Sequence, residues 1–139
     1  MIEPFLLRLS MGDDLLDAIT RAFRDRSVRK AAFNVIGAVS HAVLGYYDPK
    51  IRQYANRDFS GDWEIVSCMG NVSEKDGETF VHAHIALADE DYHCVGGHLM
   101  PGTEIFAAEL FATPLAGKIP LREFDQPTGL TLWSDFSDE

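Results

Sequence analysis

Apolar and polar positions alternate most cleanly along Val81-His82-Ala83-His84-Ile85-Ala86-Leu87. In a strand, residues two apart share a face. Val81, Ala83, Ile85 and Leu87 therefore point to a core while His82 and His84 project together from the other side. Beyond an acidic turn, Asp89-Glu90-Asp91, the segment Gly96-Gly97-His98-Leu99 is expected to return on the neighbouring antiparallel strand. Register decides where His98 points. A two-residue loop at Glu90-Asp91 pairs position 98 with 83 and turns His98 away. A three-residue loop, or a bulge at the paired glycines, brings it opposite His82 or His84.

The same reading predicts one helix and seven or eight strands. Phe5-Leu6-Leu7-Arg8-Leu9 reads as a first strand. Asp13 or Asp14 caps a helix to about Arg26, with Leu15, Leu16, Ile19, Ala22 and Phe23 as its apolar stripe. Residues 28–39 and 40–47 read as two strands, residues 51–60 as a polar irregular stretch anchored by Tyr54 and Phe59, and residues 63–69 as another strand. Asp76-Gly77 marks a tight hairpin turn into the histidine strand. Residues 103–113 form a further strand carrying Glu104 and Glu109. The tail from Pro114 holds short extended pieces and ends acidic over residues 134–139, where fraying is expected. The expected fold class is α+β: a single domain over residues 1–139, with a largely antiparallel sheet and one main helix packed on it. An uncovered apolar sheet face would favour assembly with identical copies.

Composition narrows the function classes. A length of 139 residues, 46% hydrophobic and 24% charged, suits a soluble domain that buries its own core. No apolar run approaches membrane-spanning length, so no membrane partner is expected. Met1-Ile2-Glu3-Pro4-Phe5 lacks the basic and apolar parts of a secretory signal, and a complete cytoplasmic protein is the expectation. Cys68 and Cys94 make no C-x-x-C pair and read as buried free thiols. The net charge of −10 argues against direct binding to DNA, which relies on Lys and Arg. Arg21, Arg24, Arg26, Arg29 and Lys30 cluster at the helix end, where the helix dipole favours cations and water solvates them. No nucleotide-cofactor motif is present.

The candidate chemistry is the histidine set. His82, His84 and His98 could form a three-nitrogen metal site, hydrogen-bond on a half-buried sheet face, or line a subunit contact. H-x-H alone is a weak motif. Glu64, Glu104 and Glu109 are candidate catalytic acids or bases, with solvent-facing strand positions as the plainer reading. His41, alone in an apolar strand, reads as structural.

From end to end the residues resemble the plants-and-prokaryotes conserved (PPC) domain. The similarity is carried by Leu7-Arg8-Leu9 with Gly12-Asp13-Asp14, Ile36-Gly37-Ala38, Leu44-Gly45-Tyr46-Tyr47-Asp48 and Trp63-Glu64-Ile65-Val66-Ser67. It continues through Gly70-Asn71-Val72-Ser73, His82-Ala83-His84, Gly96-Gly97-His98-Leu99 and Thr128-Gly129-Leu130. The resemblance implies an α+β fold and a homotrimer. In plant members the domain accompanies AT-hook motifs of the Arg-Gly-Arg-Pro kind. This chain has none, so it looks like the prokaryotic stand-alone branch, whose activity is unassigned. The histidine pattern is also similar to the zinc-binding pattern of α-acetolactate decarboxylase. That similarity implies zinc on His82, His84 and His98, with an open position for a small-molecule ligand. A DNA-associated regulatory or protein-interaction module is the alternative. Whether the chain is an enzyme stays open.

Overall fold

The computed structural model describes residues 2–134 and residue 137. Most of the expected frayed tail, residues 134–139, therefore lies outside the described residues. The elements run β1 (Phe5–Leu9), α1 (Leu15–Arg24), β2 (Ala31–Asp48), β3 (Gln53–Lys75), β4 (Glu78–Ala88), β5 (Cys94–Leu99), β6 (Glu104–Pro114), β7 (Arg122–Phe124) and β8 (Thr131–Trp133).

The strands β1 to β6 form one antiparallel sheet in the order β1-β6-β2-β3-β4-β5, and β7 pairs with β8 alone. The sheet curls until β2 also meets β5, with Leu44 opposite Leu99 and Gly45 opposite His98. A mostly antiparallel, barrel-like closed sheet with one short helix fits the α+β expectation only loosely.

Closure needs long, bent strands. The two strands expected over residues 28–47 are one continuous strand, β2, bent by register shifts at Val35/Gly37 and Val39/His41. Gly37 sits at φ 144°, where a Cβ would lie 2.0 Å from the Ala107 carbonyl oxygen, so only glycine turns this corner. The stretch expected to be irregular, residues 51–60, is instead mostly the first half of β3, paired with β2 from His41 to Asp48. Its sequence hides the strand because most of it is exposed on both faces, so backbone pairing rather than burial holds it.

Helix α1 buries Leu15, Ala18, Ile19, Ala22 and Phe23. The Asp14 carboxylate caps it, accepting from the Asp17 N–H at 2.9 Å. It ends at Arg24 rather than Arg26, because Ser27 at φ 55° turns the chain out of the helix. Phe23 packs its ring 5.6 Å from Phe33, joining helix to sheet. The hairpin at Asp76-Gly77 is as expected: both residues have positive φ, as a type I′ turn requires. Cys68 is buried, and burial pushes its thiol up to about 12. Cys94 corrects its expectation: it is exposed, because it shares the outer face of β5 with His98. Among the described residues, no helix is long and apolar enough to cross a membrane.

Candidate metal centre

Strand β4 behaves as its alternation demands: Val81, Ala83, Ile85 and Leu87 are buried and His82 and His84 face outward. The turn to β5 spans residues 89–93, an odd number, and this sets His98 directly opposite His84. No bulge occurs at Gly96-Gly97; the ladder runs regularly from Cys94 to His98. The glycines serve close approach instead. A Cβ on Gly97 would lie 3.0 Å from the Gly45 carbonyl oxygen, and one on Gly96 would lie 3.0 Å from that of Ile85. A side chain at either position would press on a neighbouring backbone oxygen, which would have to give by a few tenths of an ångström.

The three imidazoles converge. Ring centroids are 5.0 Å apart for His82–His84, 5.0 Å for His82–His98 and 5.4 Å for His84–His98. Nε2 of His82 and Nε2 of His84 are 3.2 Å apart. One potential ligand nitrogen from each histidine falls within 4.8 Å of the others. Nδ1 of His98 is buried without a hydrogen-bond partner. Leaving a buried polar atom unpaired costs on the order of 1–3 kcal/mol, so its presence fits a site waiting for a bond.

The electrostatics point the same way. Burial, followed by the positive fields of His98, Arg122 and His84, holds His82 down to about 4. Burial, followed by His84 and Arg122, also lowers His98. Both rings are therefore neutral at neutral pH and offer lone pairs, the state a metal ligand needs.

The surroundings contain residues the sequence reading missed. Arg122, from β7, is buried beside the cluster. Its Nε donates to the Ser73 hydroxyl at 2.7 Å, Nη2 to the Asn71 side-chain oxygen at 3.0 Å and Nη1 to the Thr131 carbonyl at 3.1 Å. Asn71 lies opposite His82 in the β3–β4 ladder, so this network fixes the guanidinium next to the imidazoles. Tyr54 covers His98 with ring centroids 4.9 Å apart. Together with Lys75, Phe80, Leu130 and Leu132 they border a recess of about 180 Å³ onto which His82 and His98 open. No periodicity marks Arg122 in the tail, and its partners lie 49 and 51 residues away in sequence.

The candidate acids sit elsewhere. Glu64 pairs with Ala38 and Ala88 and borders a different groove with Trp63 and Phe106. Glu104 lies opposite His41, and Glu109 opposite Arg8 and Ile36. Among the described residues, none of the three borders the histidine recess. His41 pairs with Asp58 at 2.9 Å, which suits a structural role.

Residues 1–116 match the Plants and Prokaryotes Conserved (PCC) domain. The chain belongs to that family. A solved metal-containing protein from Archaeoglobus fulgidus is 41% identical, with TM-score 0.91, covering 96% of this chain and 94% of that one. A plant- and prokaryote-conserved (PPC) protein from Pyrococcus horikoshii is 35% identical, with TM-score 0.91, covering 97% and 93%. The expected kinship to α-acetolactate decarboxylase holds at the level of fold. A Staphylococcus aureus protein described as similar to that enzyme is 13% identical with TM-score 0.58, covering 80% of this chain and 52% of that one. The bifunctional protein GlmU of Synechococcus is 31% identical over 132 residues, 94% of this chain. The chain spans only 20% of that protein's length.

Proposed function

We propose that this member of the family is a homotrimeric, cytoplasmic zinc protein whose histidine centre presents the metal to a small ligand. The observation that carries the reading is the half-buried convergence of His82, His84 and His98 from one chain, with His98 Nδ1 unpartnered. Three imidazole ligands with an open fourth position suit zinc. Bound there, zinc would polarise a carbonyl or carboxylate oxygen or acidify a water. The metal-containing relative at 41% identity supports this reading.

The sheet's outer face supports assembly. Leu6, Phe111, Asn34, Met69, His84 and His98 are successive cross-strand partners across all of β1 to β6. Partners across a ladder share a face. Leu6 is 78% exposed and Met69 63%, an apolar row that a monomer would leave in water. Ending on the histidines, that row puts the centre beside the surface that copies would cover. A proton-transfer role for Glu64, Glu104 or Glu109 would require a neighbouring subunit to carry them to the recess.

Metal analysis beside the mass in solution tests both parts. About one zinc per chain in a trimer is expected. A metal-free protein that takes up no zinc would overturn the reading. Direct DNA binding has less support: Arg21 is held by Asp13 and Asp17, Arg24 by Asp25 and Arg29 by Glu74. These pairs leave little free positive charge at the helix end for phosphates.

A further inference from the structure

The charge around the recess is inverted relative to the protein. The chain carries 22 acidic and 12 basic residues, yet no carboxylate borders this recess among the described residues, while Arg122 and Lys75 both do. Arg122 is only 8% exposed. All three of its hydrogen-bond acceptors are neutral: a hydroxyl, an amide oxygen and a backbone carbonyl. Its flat face lies 4.7 Å from the Phe80 ring centroid, which orders it without neutralising it. Among the described residues it makes no ion pair. A guanidinium carries five N–H donors. With three committed, the remaining two meet no acceptor among the described residues.

A buried cation without a counter-ion is costly, and proteins keep such groups where a ligand completes the pair. Lys75, exposed and bordering the recess with its Nζ 5.9 Å from the Phe80 ring centroid, adds a second positive charge. The imidazoles contribute no negative charge, and a divalent ion held by them would deepen the imbalance. The rest of the wall is apolar, formed by Phe80, Leu130 and Leu132.

We propose that the recess binds a small organic carboxylate, its carboxylate on the free N–H donors of Arg122 and its carbon body against Phe80, Leu130 and Leu132. The inference names the ligand class of the centre proposed above and rests on that reading for the ligand's second polar group. The Arg122 half of the recognition exists without the metal. Inorganic phosphate shares the charge but has no carbon body to use the apolar wall, so a carboxylate is preferred.

The test is calorimetric titration with 2-oxobutanoate, its neutral methyl ester and inorganic phosphate, on the full chain with zinc and after chelation. Zinc content is measured separately. The acid is expected to bind at least about tenfold more tightly than the ester, the scale of one charge-assisted pair. Arg122→Lys keeps the charge but loses the fork and should weaken the acid by about tenfold. Should that variant fail to fold, Lys75→Ala, at an exposed site, should still weaken the acid by a few-fold and make its binding less salt-dependent. Equal binding of acid and ester, no binding of either, or a preference for phosphate would overturn the proposal. A protein that takes up no zinc yet binds the acid through Arg122 would remove the metal reading and leave this one standing. Zinc uptake without acid binding would do the reverse.

Discussion

Two groups of side chains among the described residues bring three potential metal ligands within 4.8 Å of one another, and they are built in opposite ways. His82, His84 and His98 stand on two paired strands, their positions fixed by ladder register. Asp89, Asp91 and His93 sit together on the turn that joins those strands. In the turn the obvious ligand is already in use. The Asp89 carboxylate accepts from the N–H groups of Asp91 and His93, each at 2.9 Å. That is what an aspartate does to hold a turn together. In the histidine group one buried nitrogen is left without any partner, and two others face each other. Proximity of ligand-type residues is common to both; unsatisfied, desolvated donors belong to one. The loop that carries the turn group sets, by its odd length, the register that the strand group needs.

The largest effect that separates them is metal occupancy. His84→Ala removes one donor at an exposed position, so the fold should survive while zinc falls from about one per chain to near zero. Asp91→Ala should leave the zinc content unchanged. Metal analysis of the two variants beside the wild type checks the pair. Equal loss in both, or in neither, would erase the distinction.

A smaller effect concerns protons. His82 is held at about 4 in the folded protein against 6.5 for an ordinary histidine. Between those values the unfolded chain binds the proton and the folded chain does not, so stability falls as pH drops from 6.5 towards 4. The shift corresponds to about 3 kcal/mol when fully expressed. Denaturant unfolding of the metal-free protein should show this slope, and His82→Gln should make it shallower, leaving the part that His98 contributes. An unchanged slope in that variant would mean that His82 is hydrated like a surface residue.

Much of the site was legible in the sequence, and the reason is local. Alternation over residues 81–87 fixes which side chains share a face, and either an odd connection or a bulge at the glycines lets His98 join them. What escaped was non-local or unburied. Arg122 reaches the site only because β7 returns over Asn71 and Ser73. No pattern within a few residues of 122 encodes that contact. The first half of β3 escaped because its side chains face water on both sides, so the hydrophobic period that announces a strand is absent there. The paired glycines suggest a bulge, whereas the ladder runs through them without one and they let three backbones approach. Curvature and closure depend on such contacts between strands, and a one-dimensional pattern carries them poorly.

The smallest expected effect lies in the turn itself. Replacing Asp89 with Ala removes two side-chain hydrogen bonds that hold the N–H groups of Asp91 and His93. Water can satisfy both at this exposed turn, so the loss should be about 1 kcal/mol rather than the cost of a buried orphan. The backbone pairing of Asp89 with His93 and Tyr92 remains, since those bonds use main-chain atoms alone. The loop keeps its odd length in the variant, and parity rather than rigidity places His98 opposite His84. Zinc content should therefore stay at the wild-type level while the unfolding midpoint shifts slightly. A variant that lost zinc with little change in stability would show that the turn's own hydrogen bonds, and not the ladder beyond it, position His98.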